Sequence, residues 1–420
     1  MKEINSASLA PGSLENPSAV VRPPSVAFAL ALASISFIGP LAIHLFLPVI
    51  PAVKIALRMS EPMAQLTFSI ALFVMAFATL VYGSLSDRYG RRPVLISGLC
   101  LFLVGSAVSA MANSVLTLIF GRLIQAVGAG CGVTLVRAIA QDVYGHNLVK
   151  AIAYLTMAYT IGPMIAPIAG GILIDAFGWR SVFGFALAAG VLITLNAYLA
   201  VFETRPPASS RSAGRGVLRD YAALFSQLRF AAFVLQSGFC TATFLVTATA
   251  AAGVMKEVLH RPSTEFGLYF LLYPFGFLCG NFVSSRIATR IANETMVFAG
   301  SLILFAIVVA QSGVQLSGYV TPLTLFVPGF FISFAQGISL PYAQAGALEI
   351  DPKLAGTAAG IGVFMQNFAG AAFAQLYGLI ADGTVVPLAQ TSAITGLLCL
   401  VAGAAPFCMA RWRWRTAADR

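Results

Sequence analysis

The stretch Gly83-Ser84-Leu85-Ser86-Asp87-Arg88-Tyr89-Gly90-Arg91-Arg92-Pro93 stands between two nearly uncharged runs, Pro62 to Gly83 and Pro93 to Ala112. Each run is close to the roughly 20 residues that carry a helix across a bilayer. The stretch between them therefore reads as a tight turn joining two membrane spans. A turn this short needs permissive backbone at Gly83 and Gly90, an anion at Asp87 that can face a helix N-terminus, and arginines on the cytoplasmic side. A plain basic turn accounts for the arginines but not for the spacing of the glycines and the aspartate.

The same pattern recurs outward in both directions. The chain has 420 residues, of which 59% are AVILMFWYC and only 10% are charged, where a soluble protein has about 25% charged. A soluble enzyme with one apolar domain is excluded, and the apolar residues suffice for about twelve spans. The first six are Ala27 to Ile50, Pro62 to Gly83, Pro93 to Ala112, Val115 to Val143, Ala151 to Ile174 and Ser181 to Phe202. The second six are Phe230 to Val254, Phe266 to Val283, Met296 to Ser312, Leu323 to Ala345, Gly356 to Ile380 and Thr391 to Ala410. Between the sets lies Glu203 to Arg229, the longest internal polar interval, rich in Pro, Ser, Gly and Arg.

The expected fold is thus an all-α membrane protein of 12 transmembrane helices in two six-helix bundles, 25–202 and 230–411. A linker, 203–229, joins them, and the expected tails are a disordered 1–24, which lacks the apolar run of a signal peptide, and 412–420. The halves echo each other, since Gly280-Asn281-Phe282-Val283-Ser284-Ser285-Arg286 follows the eighth span as the opening stretch follows the second. Many transporters are built by such repetition, with the substrate site where the repeats meet.

Placement gives meaning to the net charge of +10. With the N-terminus inside, 18 of the 25 Lys and Arg fall on inner segments, and only Lys54, Arg58, Arg180, Lys256 and Arg261 on outer ones. Both termini are then cytoplasmic, and the charge is a topology signal rather than a nucleic-acid footprint. Trp179, Trp412 and Trp414 fall at span ends, where interfacial indoles are expected. The six cysteines sit in apolar runs without CxxC spacing and read as small hydrophobes. His44, His146 and His260 fall at different depths and sides, and no DxxxD or HxxxH pair occurs in the spans. No catalytic or metal-binding constellation emerges, so an enzyme is a remote alternative to a transporter.

The opening stretch resembles the loop signature G-x-L-x-D-R-x-G-R-R of the major facilitator superfamily. Arg122-Leu123-Ile124-Gln125-Ala126-Val127-Gly128 is similar to that superfamily's fourth-span motif, with Ala126 where the family has glycine. Gly162-Pro163-Met164-Ile165-Ala166-Pro167-Ile168-Ala169-Gly170-Gly171 looks like the fifth-span antiporter motif, with Ala166 in place of its central glycine, and the match runs on into Trp179-Arg180-Ser181-Val182-Phe183. Leu47-Pro48-Val49-Ile50-Pro51 resembles the L-P-x-x-P of the Bcr/CflA-like drug:proton antiporters, 12-span members of the superfamily.

The resemblance implies alternating access, in which two bundles rock about a midplane cavity lined by spans one, four, seven and ten. It implies a cytoplasmic gate of Gly83, Asp87, Arg88, Gly90, Arg91, Arg92 and Asp142, in which Asp87 faces the start of span eleven near Gly356 and Thr357 and Arg91 reaches Asp142. It further implies coupling or packing roles for Gly162, Pro163, Pro167, Gly170 and Gly171. No cofactor is expected beyond a proton gradient, and the expected partners are a small-molecule substrate and the lipid of a bacterial inner membrane. A monomer suffices for this architecture.

Ionisable residues inside spans are costly and usually functional. Only His44, Arg122, Arg137 and Asp142 qualify, and the last two lie near the inner end, where they can snorkel or pair. Arg122 sits about 10 Å and His44 about 9 Å from the outer ends of their spans at 1.5 Å per residue, so the two are expected to face each other across the cavity beside Gln125. Bcr/CflA-like antiporters typically carry an aspartate where this chain has His44. A carboxylate beside Arg122 makes a pair that protonation breaks, whereas a protonated imidazole there is repelled. Proton coupling then either stays on His44 in altered form or moves to Asp142 or Asp175. With an arginine and no acid at cavity depth, the expected substrates are neutral or anionic amphiphiles, with Phe46, Phe244 and Gln336 as further candidate contacts. A facilitator or exporter of one endogenous metabolite is the alternative within transport.

Overall fold

The computed structural model describes residues 25–144, 148–204, 222–287, 290–351 and 354–418, and these are helical with no strand among them. Twelve long helices follow one another: α1 (Val26–Phe46), α2 (Glu61–Tyr89), α3 (Arg91–Ala110), α4 (Val115–Tyr144), α5 (Leu148–Phe177), α6 (Arg180–Ala200), α7 (Leu228–Val258), α8 (Ser263–Ile287), α9 (Asn293–Leu316), α10 (Pro322–Leu348), α11 (Ala355–Ile380) and α12 (Val386–Ala418). Eleven are long and apolar enough to cross a membrane. The remaining one, α11, has 26 residues and is long enough to span, but its Gly, Ala, Gln366, Asn367 and Gln375 make it less apolar.

Helices outrun the apolar runs that announce them. Hydropathy stops at the first charged residue, whereas the backbone hydrogen-bond ladder continues into the polar face, as at the inner end of α2 and the outer end of α7. The first span, expected as one run to Ile50, instead turns through a 3₁₀ segment at His44–Phe46 and resumes as a short outer helix, Val49–Ala56. Pro48 has no N–H to give the ladder, which is the physical cause of the break. α8 is interrupted at Leu271, where Pro274 cannot bond back to Phe270.

The halves repeat each other in packing. α3 packs on α4 and α6, and α4 on α2, while α9 packs on α10 and α12, and α10 on α8. Lipid chains are as apolar as leucine, so close backbone approach rather than hydrophobicity drives these seams. A Cβ at Gly105 or Gly128 would stand 2.2 Å from the backbone nitrogen of Gln125 or Phe102, and one at Gly276 or Gly280 would stand 2.1 Å from the carbonyl oxygen of Phe330 or Phe334.

Between halves, α2 lies along α11 and α5 lies against the first part of α8. With the 83–93 turn as the inner face, these contacts are tight at the outer end. Ser69 Oγ donates to Gln375 Oε1 at 2.7 Å, and a Cβ on Gly378, Gly171 or Gly267 would collide with Gln65, the Ser263 carbonyl or the Pro167 carbonyl. Toward the inner ends Gly83, Gly356 and Gly362 have open space where a Cβ would stand. The outer end is therefore closed. Residues 1–24, His146 and 205–221 of the linker lie outside the described residues, as do the side chains of Trp412 and Trp414.

Candidate functional site

Arg122, on the second turn of α4, is 1% exposed and is among the largest fully buried side chains of the described residues. Its Nε donates to the Thr67 carbonyl on α2 at 3.2 Å, and its Nη1 to the Ala42 carbonyl on α1 at 2.9 Å and to Gln125 Oε1 at 2.6 Å. The guanidinium plane lies 4.2 Å above the Phe46 ring. Gln125 passes the network on, its Nε2 donating to Ser106 Oγ on α3 at 2.9 Å. Three helices thus place one cation, and no carboxylate is among its partners in the described residues. Nη2 is buried with no hydrogen-bond partner.

Behind this network a stack of side chains runs to the outer surface. Phe46 tilts against Phe183, with centroids 5.6 Å apart, and Phe183 meets Trp179 edge-on at 6.1 Å. Arg180 lies over Trp179 and donates to the Ala112 carbonyl and Asn113 Oδ1 at 2.8 and 3.0 Å. Trp179 stands at the start of α6, the span end expected for it, and is buried there beside Arg180 and Phe183. One expectation is corrected here. Phe46 and Gln125 do not line a cavity but turn into the first bundle, where Arg122 holds both.

His44 is not among the partners of Arg122, whose Nε and Nη1 go to carbonyls and an amide. The imidazole instead reaches the second half, with its centroid 6.3 Å from both Phe244 on α7 and Phe270 on α8. Phe270 stacks on Tyr273 at 5.1 Å, and Phe244 meets Tyr273 edge-on at 5.5 Å. Nδ1 of His44 is buried without a partner. Phe244 therefore stands where the halves meet. Gln336 on α10 is buried and donates to Thr241 Oγ1 on α7 at 3.3 Å, within the second half.

At the inner end Arg91 is the hub. It pairs with Asp87 Oδ1 at 2.9 Å, donates through Nε to Asp142 Oδ2 at 3.0 Å, and donates through Nη1 to Ser86 Oγ at 2.6 Å. Gly90 adopts φ 95°, a region that disfavours any side chain, and a Cβ there would lie 2.6 Å from Glu203 Oε2. Glu203 is a residue the sequence reading passed over. Its carboxylate accepts from the N–H groups of Arg91 and Arg92 at 2.8 and 3.1 Å, capping the N-terminus of α3. Thr204 Oγ1 donates to Asp142 at 3.1 Å, so the start of the linker is docked on this cluster. The signal available was an acid immediately after span six, opposite a helix start. Arg92 lies over Tyr198 and bonds its carbonyl, Arg88 lies over Tyr89, and Arg137 is exposed.

The α5 glycines serve two neighbours. A Cβ on Gly162 would stand 2.3 Å from Pro40, and one on Gly170 2.7 Å from the Leu45 carbonyl, both on α1, whereas Gly171 abuts α8 of the other half. Pro163 and Pro167 lie inside the helix, and the carbonyl of Pro167 faces Gly267. Asp175, near the outer end, accepts from the N–H groups of Ser263 and Thr264 at 3.2 and 2.7 Å. Lys54, also missed, lies between Glu61 and Glu257. Partial burial works against its ammonium, but Glu257 and Glu61 outweigh that and raise its pKa above the ordinary value.

The family model described as Major Facilitator Superfamily matches residues 32–374. Multidrug resistance protein D of Escherichia coli (strain K12) is 27% identical over 378 residues, 88% of this chain and 93% of the relative. The Bicyclomycin resistance protein homolog of Haemophilus influenzae is 24% identical over 375 residues, 87% of this chain and 92% of the relative. Among solved structures, a D-xylose-proton symporter superposes with TM-score 0.75 at 15% identity over 90% of this chain and 96% of its own.

Proposed function

The chain belongs to the Major Facilitator Superfamily and is a secondary membrane transporter rather than an enzyme, and we propose that it exports drugs or other small neutral or anionic amphiphiles, driven by the proton gradient across a bacterial inner membrane. The observation that carries the substrate class is Arg122. It is a buried cation held by carbonyls and an amide, with no carboxylate partner and with Nη2 still to be satisfied. From inside the first bundle its field reaches the junction of the halves through a medium of low dielectric, where it disfavours a permanent cation and favours a neutral or anionic compound. The names of the two relatives support export of drugs, and the tight contacts at the outer end suit loading from inside.

The second premise is His44, which replaces an acid at the junction of the halves. With Phe244 and Phe270 around it, the imidazole is a titratable group that the first half brings to that aromatic layer, and the proposal assigns it the proton. A single chain suffices for this cycle. Transport into proteoliposomes of a small drug panel, with and without an imposed pH gradient, tests the reading. Gradient-stimulated transport of neutral phenicol-like compounds is expected. Transport of ethidium-like lipophilic cations with none of the neutral compounds would overturn it.

A further inference from the structure

Lys54 closes the short outer helix of the first half. Its Nζ lies 2.6 Å from Glu61 Oε2, at the start of α2, and 2.8 and 2.7 Å from the two oxygens of Glu257, at the outer end of α7. Glu61 and Lys54 belong to the same half, and Glu257 to the other. Glu257 is carried by a π-helical turn, Val254–Val258, closed by the Leu259 N–H on the Val254 carbonyl at 2.9 Å. Such turns are rare and cluster at functional positions. All three side chains are partly buried, at 23%, 18% and 29% exposure for Lys54, Glu61 and Glu257.

We propose that Lys54, Glu61 and Glu257 form the outer latch of the transport cycle, in which Glu257 holds the outer end closed and Glu61 lets it open. This rests on the alternating movement of the two halves, not on which compound is carried. Opening the outer end must draw Glu257 away from Lys54. If Glu257 were the sole partner, opening would strand an ammonium in partly buried surroundings, and the unpaired charge would oppose the movement. Glu61 travels with Lys54 and keeps it paired. Only Glu257, the most exposed of the three, must then be rehydrated. Two carboxylates on one lysine therefore act in opposite senses on the same equilibrium.

That opposition separates a latch from a merely stabilising cluster. Hydrogen–deuterium exchange of the full chain in lipid nanodiscs reads the outer segments 49–62 and 254–266 and the inner segment 83–92, and needs no substrate. Glu257→Gln is expected to speed exchange of the outer segments by about three-fold, the effect of losing a partly exposed ion pair, and to slow exchange of the inner segment. Glu61→Gln is expected to do the reverse. Glu257→Asp, which keeps the charge and shortens the reach, gives a smaller shift of the same sign as Glu257→Gln and serves if that variant does not fold. Combining Lys54→Glu with Glu257→Lys restores outer protection. Shifts of the same sign from both glutamine variants, no shift from either, or outer changes without the reciprocal inner change would each overturn the latch. None of these outcomes bears on the substrate reading, which the proteoliposome panel decides by itself.

Discussion

Arg122→Lys keeps the charge of the buried cation and removes its geometry. The guanidinium makes three hydrogen bonds in two directions, to Thr67, Ala42 and Gln125, and stacks on Phe46. An ammonium at the end of a flexible chain has no planar fork to satisfy α1, α2 and the amide together. At least one charge-assisted bond is lost, worth about 1.5–3 kcal/mol. The abandoned buried acceptor adds about 1–3 kcal/mol, and the lost ring contact about 1 kcal/mol. The total is about 3.5–7 kcal/mol. Even the lower figure amounts to several hundredfold on transport if it falls on the rate-limiting rearrangement, and to a thermal midpoint lowered by about 5 °C or more. Thermal unfolding in detergent and export from proteoliposomes measure the two effects. Arg137→Lys, at an exposed position of the same helix, is the control and should change neither. An Arg122→Lys protein with wild-type midpoint and wild-type export would refute the assignment of Arg122 as a positioned, shared cation.

Other expected outcomes follow from individual contacts. Gly90→Ala forces a side chain into positive φ and against Glu203, and should lower stability by about 1–3 kcal/mol, read as a reduced thermal midpoint. Gly171→Ala places a methyl group 2.3 Å from the Ser263 carbonyl on the facing half. The outer seam must part, so maleimide labelling of a cysteine introduced at Ser263, buried at that seam, should accelerate in this variant, and unchanged labelling would show that α5 and α8 are not the seal. His44→Ala should abolish the stimulation of export by a pH gradient. Unchanged gradient-driven export would remove His44 from coupling.

The inner cluster and the site at Arg122 differ in how far sequence alone could reach them. Asp87, Arg91 and Asp142 are legible because a short turn and the end of a helix of known length bring them to one membrane face, and membrane side is readable from charge. The depth of Arg122 is legible for the same reason. What Arg122 faces is not, because depth along a helix says nothing of rotation about it. A fraction of a turn about the helix axis separates an arginine that meets His44 from one that meets the Ala42 and Thr67 carbonyls. Those carbonyls leave no trace in the side-chain pattern. Glu203 escaped because it stands at a linker boundary that reads as polar spacer, and its role depends on where the first turn of α3 comes to rest.

The amino-acid sequence by itself determines the twelve spans, their sidedness, the division into two repeats and the scarcity of charge between the membrane faces. Hydrocarbon enforces these in one dimension, residue by residue, whatever neighbours a helix acquires. Tertiary structure alone decides that Phe46 and Gln125 serve Arg122 inside the first bundle, that His44 turns to Phe244 and Phe270 of the second, and that Lys54 spans both halves between Glu61 and Glu257. These pairings join residues up to 226 positions apart. They depend on helix rotation and on glycine seams that set the distance between backbones, and neither has a local signature.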